Sequence, residues 1–258
     1  SSAVHRPVAA MVQTAQRMID AGFEAMKVRF GRPSIDDDLA VITAVRDAVG
    51  DRLTLMVDCN QGWRMPWDGA QPWDIETAWG VAQRLIAEDV YWMEEPLHRG
   101  DYDGMTQLRD RVRAVSTMRI AGGELTREPY EFRELLTRDC LDVFQPDVVC
   151  SQGFSGLAPF GREVAAAGKL FTPHTWGNGI GVLANLHLIA GTVGHEGSQW
   201  VEWPFDPPEW TLERRDYPLV TPLEADGGWL TLTEEPGLGA ALDEEALLAT
   251  ASSQATFQ

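Results

Sequence analysis

Seven short runs of this sequence each carry apolar chain into polar or ionisable side chains: KVR (27–29), VDCN (57–60), MEEP (93–96), GGE (122–124), QPD (145–147), TPH (172–174) and VEW (201–203). They present Lys27, Arg29, Asp58, Asn60, Glu94, Glu124, Asp147, His174 and Glu202. From Asp58 through Glu94, Glu124 and Asp147 to His174 the intervals are 36, 30, 23 and 27 residues, each about the length of one strand-and-helix unit. Neighbouring strands would therefore deliver Asp58, Glu94 and Glu124 side by side. Three carboxylates in one mouth repel one another unless a cation neutralises them. An oxygen-only set suits Mg²⁺, with Mn²⁺ as a substitute, and leaves positions for the oxygens of a ligand. A single carboxylate at a strand end is commonly a solvated residue or a helix cap. Three on consecutive strands, each after an apolar run, point to a metal.

His174 closes one run, and Asp147, one strand earlier, is placed to bind its ring, fix its tautomer and raise its basicity. Lys27 and Arg29 share one face of AMKVRF (25–30), with Met26, Val28 and Phe30 on the other. Cations on the inside of a fold must be paired or functional. His187 and His195 fall in or after a helix and read as structural, and His5 and His98 as solvated loop residues. The tryptophans of QGWRMPWDGAQPWD (61–74) either line a pocket or pack the loop.

The elements that must position these groups alternate. Helical spacing runs over 8–23, 36–50, 73–89, about 101–113, 128–139, 155–168 and 180–193. Strand-like runs occupy 25–30, 53–60, 90–96, 119–124, 141–147, 169–174 and 199–203. Strict alternation predicts a parallel sheet with helical crossovers, a closed barrel or an open doubly wound sheet. No GxGxxG follows the first strand, which disfavours a dinucleotide fold. Active sites of such barrels lie at the C-terminal strand ends, where the polar residues fall. After residue 204 the pattern breaks, with one strand-like run at GGWLTLT (227–233).

The chain has 258 residues, 44% hydrophobic, and a net charge of −18. That charge argues against nucleic acid or an acidic membrane surface as a partner. Three cysteines at no metal-ligand spacing imply no disulfide framework and fit a cytoplasmic location. No apolar run approaches a membrane span of about 18 residues.

Taken together, KVR, VDCN, WMEEP, AGGE, QPD, TPH and VEW, in this order and register, resemble the enolase superfamily and within it the mandelate racemase subgroup. The resemblance covers nearly the whole chain. It implies a TIM-type barrel of modified (β/α)7β form over residues 1–204. The first strand and an N-terminal capping domain are missing, and residues 205–258 join that cap. It implies Mg²⁺ on Asp58, Glu94 and Glu124, a His174–Asp147 base, Lys27 on a substrate carboxylate, a protonated Glu202 on a carboxylate oxygen of the intermediate, and Asn60 near a substrate hydroxyl. It also implies a small-molecule carboxylate substrate and a homo-oligomer of two to eight subunits.

Arg29 departs from the pattern, standing where mandelate racemase has a second catalytic lysine. With a pKa above about 12, arginine is a poor proton acceptor. His174, with a pKa near neutrality, is then the sole base, which favours dehydration of an aldonate or aldarate to a 2-keto-3-deoxy acid. A racemase or epimerase of a 2-hydroxy acid, and a non-catalytic barrel fragment, are the alternatives.

Overall fold

The computed structural model describes residues 5–64, 69–193 and 200–250. Each strand is a short apolar run and each crossover an amphipathic helix. In chain order they are α1 (Val8–Asp20), β1 (Ala25–Arg29), α2 (Ile35–Val49), β2 (Thr54–Asp58), α3 (Ile75–Ala87), β3 (Trp92–Glu94), α4 (Tyr102–Arg113), β4 (Arg119–Gly122), α5 (Pro129–Thr137), β5 (Val143–Phe144), α6 (Gly153–Ala166), β6 (Leu170–Phe171) and α7 (Gly179–Thr192). Two short helices follow, α8 (Leu212–Asp216) and α9 (Glu244–Thr250). Side-chain caps set several helix starts. Ser34, Asp74 and Asn178 accept the backbone N–H of Asp37, Thr77 and Gly181, and Pro129 occupies the first turn of α5.

All six strands are parallel, in the order β1 to β6. Period two divides their side chains. Val28, Val57, Met93, Ile120, Phe144 and Phe171 face outward into the core beneath the helices. Met56, Trp92, Ala121 and Val143 form a second, inner cluster joined by Ala25, Leu170, Tyr91 and Trp200. Because side chains from β1 through β6 meet in that one cluster, the sheet curls into a barrel.

Two expected strands are not formed. Residues 200–203 are not in the sheet, and Gln199 lies outside the described residues. That stretch is anchored by side chains instead: Glu202 accepts the Thr175 backbone N–H at 2.9 Å, and Lys27 Nζ lies 3.0 Å from its Oε1. Between it and β1 the wall opens as a slot of about 480 Å³ that reaches inward to Lys27 and Glu202. Among the described residues the sheet therefore has six strands, not the seven expected. GGWLTLT is also no strand. An isolated Asp226–Trp229 bridge closes a turn at Gly227 and Gly228, both at positive φ. That turn packs on Gly22, where a Cβ would stand 2.8 Å from the Gly227 backbone, so the tail is shaped by close backbone contact and not by a ladder. Pro146 and Pro173, which cannot donate, shorten β5 and β6. Thr172 N–H to Phe144 O (2.9 Å) and His174 N–H to Pro146 O (3.1 Å) nevertheless carry the pairing on to the site.

Among the described residues no helix is long and apolar enough to cross a membrane.

Candidate active site

Parallel register does the first part of the positioning. Arg29 lies opposite Asp58, and Asp58 opposite Glu94. Past β4, Gly123 takes φ 107°, a turn that a side chain would resist, and Glu124 follows it. One carboxylate oxygen from each of Asp58, Glu94 and Glu124 lies within 4.8 Å of the others, and all three residues are buried. Glu124 Oε2 faces the His174 ring at 3.4 Å but is buried without a hydrogen bond, which is costly for a carboxylate unless a ligand meets it. Burial and neighbouring carboxylates push Glu94 up to about 7 and raise Glu124 as well. An all-oxygen donor set with an orphaned oxygen and surplus negative charge fits a hard divalent cation.

Lys27 is buried in the same place, its Nζ 2.6 Å from Glu94 Oε1. Burial works against its charge, but Glu202, Glu94, Asp58 and Glu124 together hold its pKa well above the ordinary value. Glu94 is further fixed by two donors to Oε2, Trp92 Nε1 at 3.1 Å and Gln145 Nε2 at 2.8 Å. Neither was singled out from the sequence. The available signal was the period of two, since Trp92 precedes Glu94 by two positions and Gln145 precedes Asp147 by two.

His174 Nδ1 lies 3.1 Å from Asp147 Oδ2, while Nε2 faces Glu124 Oε2 at 3.4 Å and Glu202 Oε2 at 3.9 Å. Asn185 of α7 locks this pair: its Nδ2 donates to Asp147 Oδ1 (3.1 Å) and His174 O (3.0 Å), and its Oδ1 accepts the Val148 N–H. Sequence reading passed over Asn185, although a fully buried amide in the apolar helix IGVLANLHLIAG was a signal. Burial disfavours the imidazolium, yet Glu202, Asp147 and Glu124 push His174 up to about 9, above the expected neutrality. Burial would raise Glu202, but Lys27 and His174 hold it well below the usual carboxylate range. These neighbours oppose the protonated state expected of Glu202 from the sequence.

Arg29 Nη2 stands 3.3 Å from Asp58 Oδ2. Asn60 adopts φ 53°, and its Nδ2 donates to Phe30 O at 2.8 Å, so its amide braces the β1 and β2 ends. Glu95 adopts φ 46° and buries its carboxylate against Gly62, where a Cβ would sit 2.1 Å from Oε1. Such strained backbone clusters at functional sites.

His187 contacts Leu238 O at 3.2 Å, His98 Nδ1 accepts the Gly100 N–H, and the His5 ring packs against Gly31. Trp73 packs edge-on to Phe30, as loop packing would have it. His195 and residues 65–68, including Trp67, lie outside the described residues.

A family model described as enolase C-terminal domain-like matches residues 10–246. The D-galactarolactone cycloisomerase of Agrobacterium fabrum is 30% identical over 232 residues, covering 88% of this chain and 56% of that protein. The L-talarate/galactarate dehydratase of Salmonella typhimurium is 29% identical over 246 residues, covering 94% of this chain and 54% of that protein. The crystal structure of L-talarate dehydratase from Polaromonas sp. JS666, complexed with Mg and L-glucarate, matches with a TM-score of 0.77 at 26% identity, covering 95% of this chain and 60% of that one. The chain spans about half the length of the curated relatives it matches.

Proposed function

The chain belongs to the enolase C-terminal domain-like family, and from that premise we propose that it carries the active site of a Mg²⁺-dependent acid-sugar dehydratase. The substrate class is an aldonate or aldarate, and the product a 2-keto-3-deoxy acid. The observation that carries this reading is the meeting, in one buried mouth, of the Asp58–Glu94–Glu124 triad, a single His–Asp pair and an arginine where a second base would stand. Dehydratases among the relatives, for arabinonate, L-talarate/galactarate, L-rhamnonate and D-gluconate, support it.

The proton beside a carboxylate is very weakly acidic, so its removal needs positive charge poised where the dianion forms. Asp58, Glu94 and Glu124 would hold Mg²⁺, or Mn²⁺ in its place, and the ion supplies Lewis-acid charge against substrate carboxylate oxygens. Lys27 adds a fixed cation beside it. Because His174 Nδ1 is tied to Asp147, Nε2 is the atom that takes the α-proton. Glu124 is one of the carboxylates that raise His174, so a ligand set that neutralised it would favour the neutral ring that accepts the proton. When a substrate carboxylate draws Lys27 from Glu202, burial favours the neutral form of Glu202, which takes a proton from solvent and then donates a hydrogen bond to a carboxylate oxygen of the intermediate. The C–O bond at the β-carbon breaks, the leaving hydroxyl takes the proton back from the His174 imidazolium as water, and the enol tautomerises to the 2-keto acid. Arg29 remains charged throughout and takes no proton.

The domain arrangement proposed with this reading is a barrel over 1–204 and a tail over 205–258 that packs on a capping domain. A second reading, racemisation or epimerisation of a 2-hydroxy acid by the same proton abstraction without loss of hydroxyl, has a racemase from Streptomyces coelicolor A3(2) among the structural neighbours. Incubation with Mg²⁺ and a panel of mono- and diacid sugars separates the two. Dehydration yields a 2-keto acid, and isomerisation yields none while exchanging the α-proton with deuterated solvent.

A further inference from the structure

We infer that Trp176, backed by Trp210, is a positioning residue for Arg29, holding its guanidinium at the barrel mouth so that its open N–H groups meet a substrate oxygen. The substrate part of this inference rests on the function proposed above; the positioning part does not. Trp176 lies two residues past His174, in the loop after β6, and its ring centroid is 5.7 Å from Arg29 Cζ. Behind it stacks Trp210 of the tail, with centroids 5.4 Å apart and planes at 18°. Arg214 Cζ lies over the Trp210 ring, 5.6 Å from its centroid. These ring and cation contacts join β1, the β6 loop and α8.

The acid contact of Arg29 does not explain its placement. One nitrogen, Nη2, meets Asp58 at 3.3 Å, at the long end for a charge-assisted bond, and Nε is buried with no partner. A planar, delocalised guanidinium lies against an aromatic face in a way that a lysine ammonium does not. The ring wall thus gives a reason, in this chain, for Arg and not Lys at position 29. It keeps the guanidinium from collapsing onto the carboxylates and leaves Nε, without a partner among the described residues, free for a ligand oxygen.

The test uses the full chain loaded with Mg²⁺ and labelled with ¹⁵N at arginine Nε. The Arg29 Nε–H signal, assigned by its loss in Arg29→Lys, is expected displaced by the ring current of Trp176. It should move to the position of ordinary arginines in Trp176→Leu and keep a displaced position in Trp176→Phe. An unmoved signal in Trp176→Leu overturns the inference. If Trp176→Leu does not fold, Trp210→Leu should shift the same signal part of the way, and no shift again overturns it. This readout needs no substrate, so it decides even where no acid sugar is turned over and the functional reading fails. With a turned-over sugar, Trp176→Leu should lower kcat/KM about tenfold in the native background. In an Arg29→Ala background the loss should be less than about twofold. Equal losses in both backgrounds overturn the inference.

Discussion

Glu124 Oε2 and His174 Nε2 face each other at 3.4 Å, so one buried carboxylate serves both the triad and the imidazole. The protonation of His174 is therefore coupled to whatever neutralises Glu124. His174 rises from 6.5 to about 9 in the fold, and Glu94 from 4.5 to about 7. Both bind a proton more tightly folded than unfolded, so their stabilising share is full below the unfolded values and is lost as pH rises through the folded ones. For the metal-free protein, the melting temperature should fall between about pH 5 and pH 9. Saturating Mg²⁺ should remove most of that fall and add about 2.7 kcal/mol at a hundredfold excess over Kd. A metal-free melting temperature that is flat or rising across this window would contradict the coupling.

Gln145 tests the support of the metal triad. Its amide gives Glu94 Oε2 one of two donors. Removing a group that orients a metal ligand typically costs about 10–100-fold in affinity. Gln145→Leu should weaken Mg²⁺ binding by that amount in calorimetry while the fold is retained. Unchanged affinity would show that Trp92 alone fixes Glu94.

Asn185 tests the base. Replacing it with Leu strips a donor from Asp147 and from the His174 carbonyl, and leaves the Val148 N–H without its acceptor. A loss of about 1–3 kcal/mol in stability follows from one unsatisfied buried group. Beyond that loss, kcat should fall and the pH profile should shift, because Asp147 no longer holds the ring in one orientation. A stability loss with an unaltered pH profile would reduce Asn185 to packing.

The strand ends were readable because period two and the length of a strand-and-helix unit leave little freedom. Once Val28 and Val57 face the helices, Lys27, Arg29 and Asp58 must face inward. Residues brought in from other elements were not readable from those periods. Asn185 reaches the pair from α7, and Trp210 arrives from the tail. Strand-like composition misled at 199–203 and 227–233, where side-chain anchoring and paired glycine backbones replaced a ladder. The pKa shifts of His174 and Glu202 escaped for the same reason, since each is set by neighbours far away in sequence.

The central claim is one-base dehydration by His174. The direct measurement is 2-keto acid formation from a panel of aldonates and aldarates with Mg²⁺, run in deuterated solvent beside His174→Asn. The account predicts 2-keto acid from at least one sugar acid, abolished in His174→Asn while Mg²⁺ binding persists. Exchange of the α-proton with the hydroxyl retained, or turnover that survives His174→Asn, would contradict it.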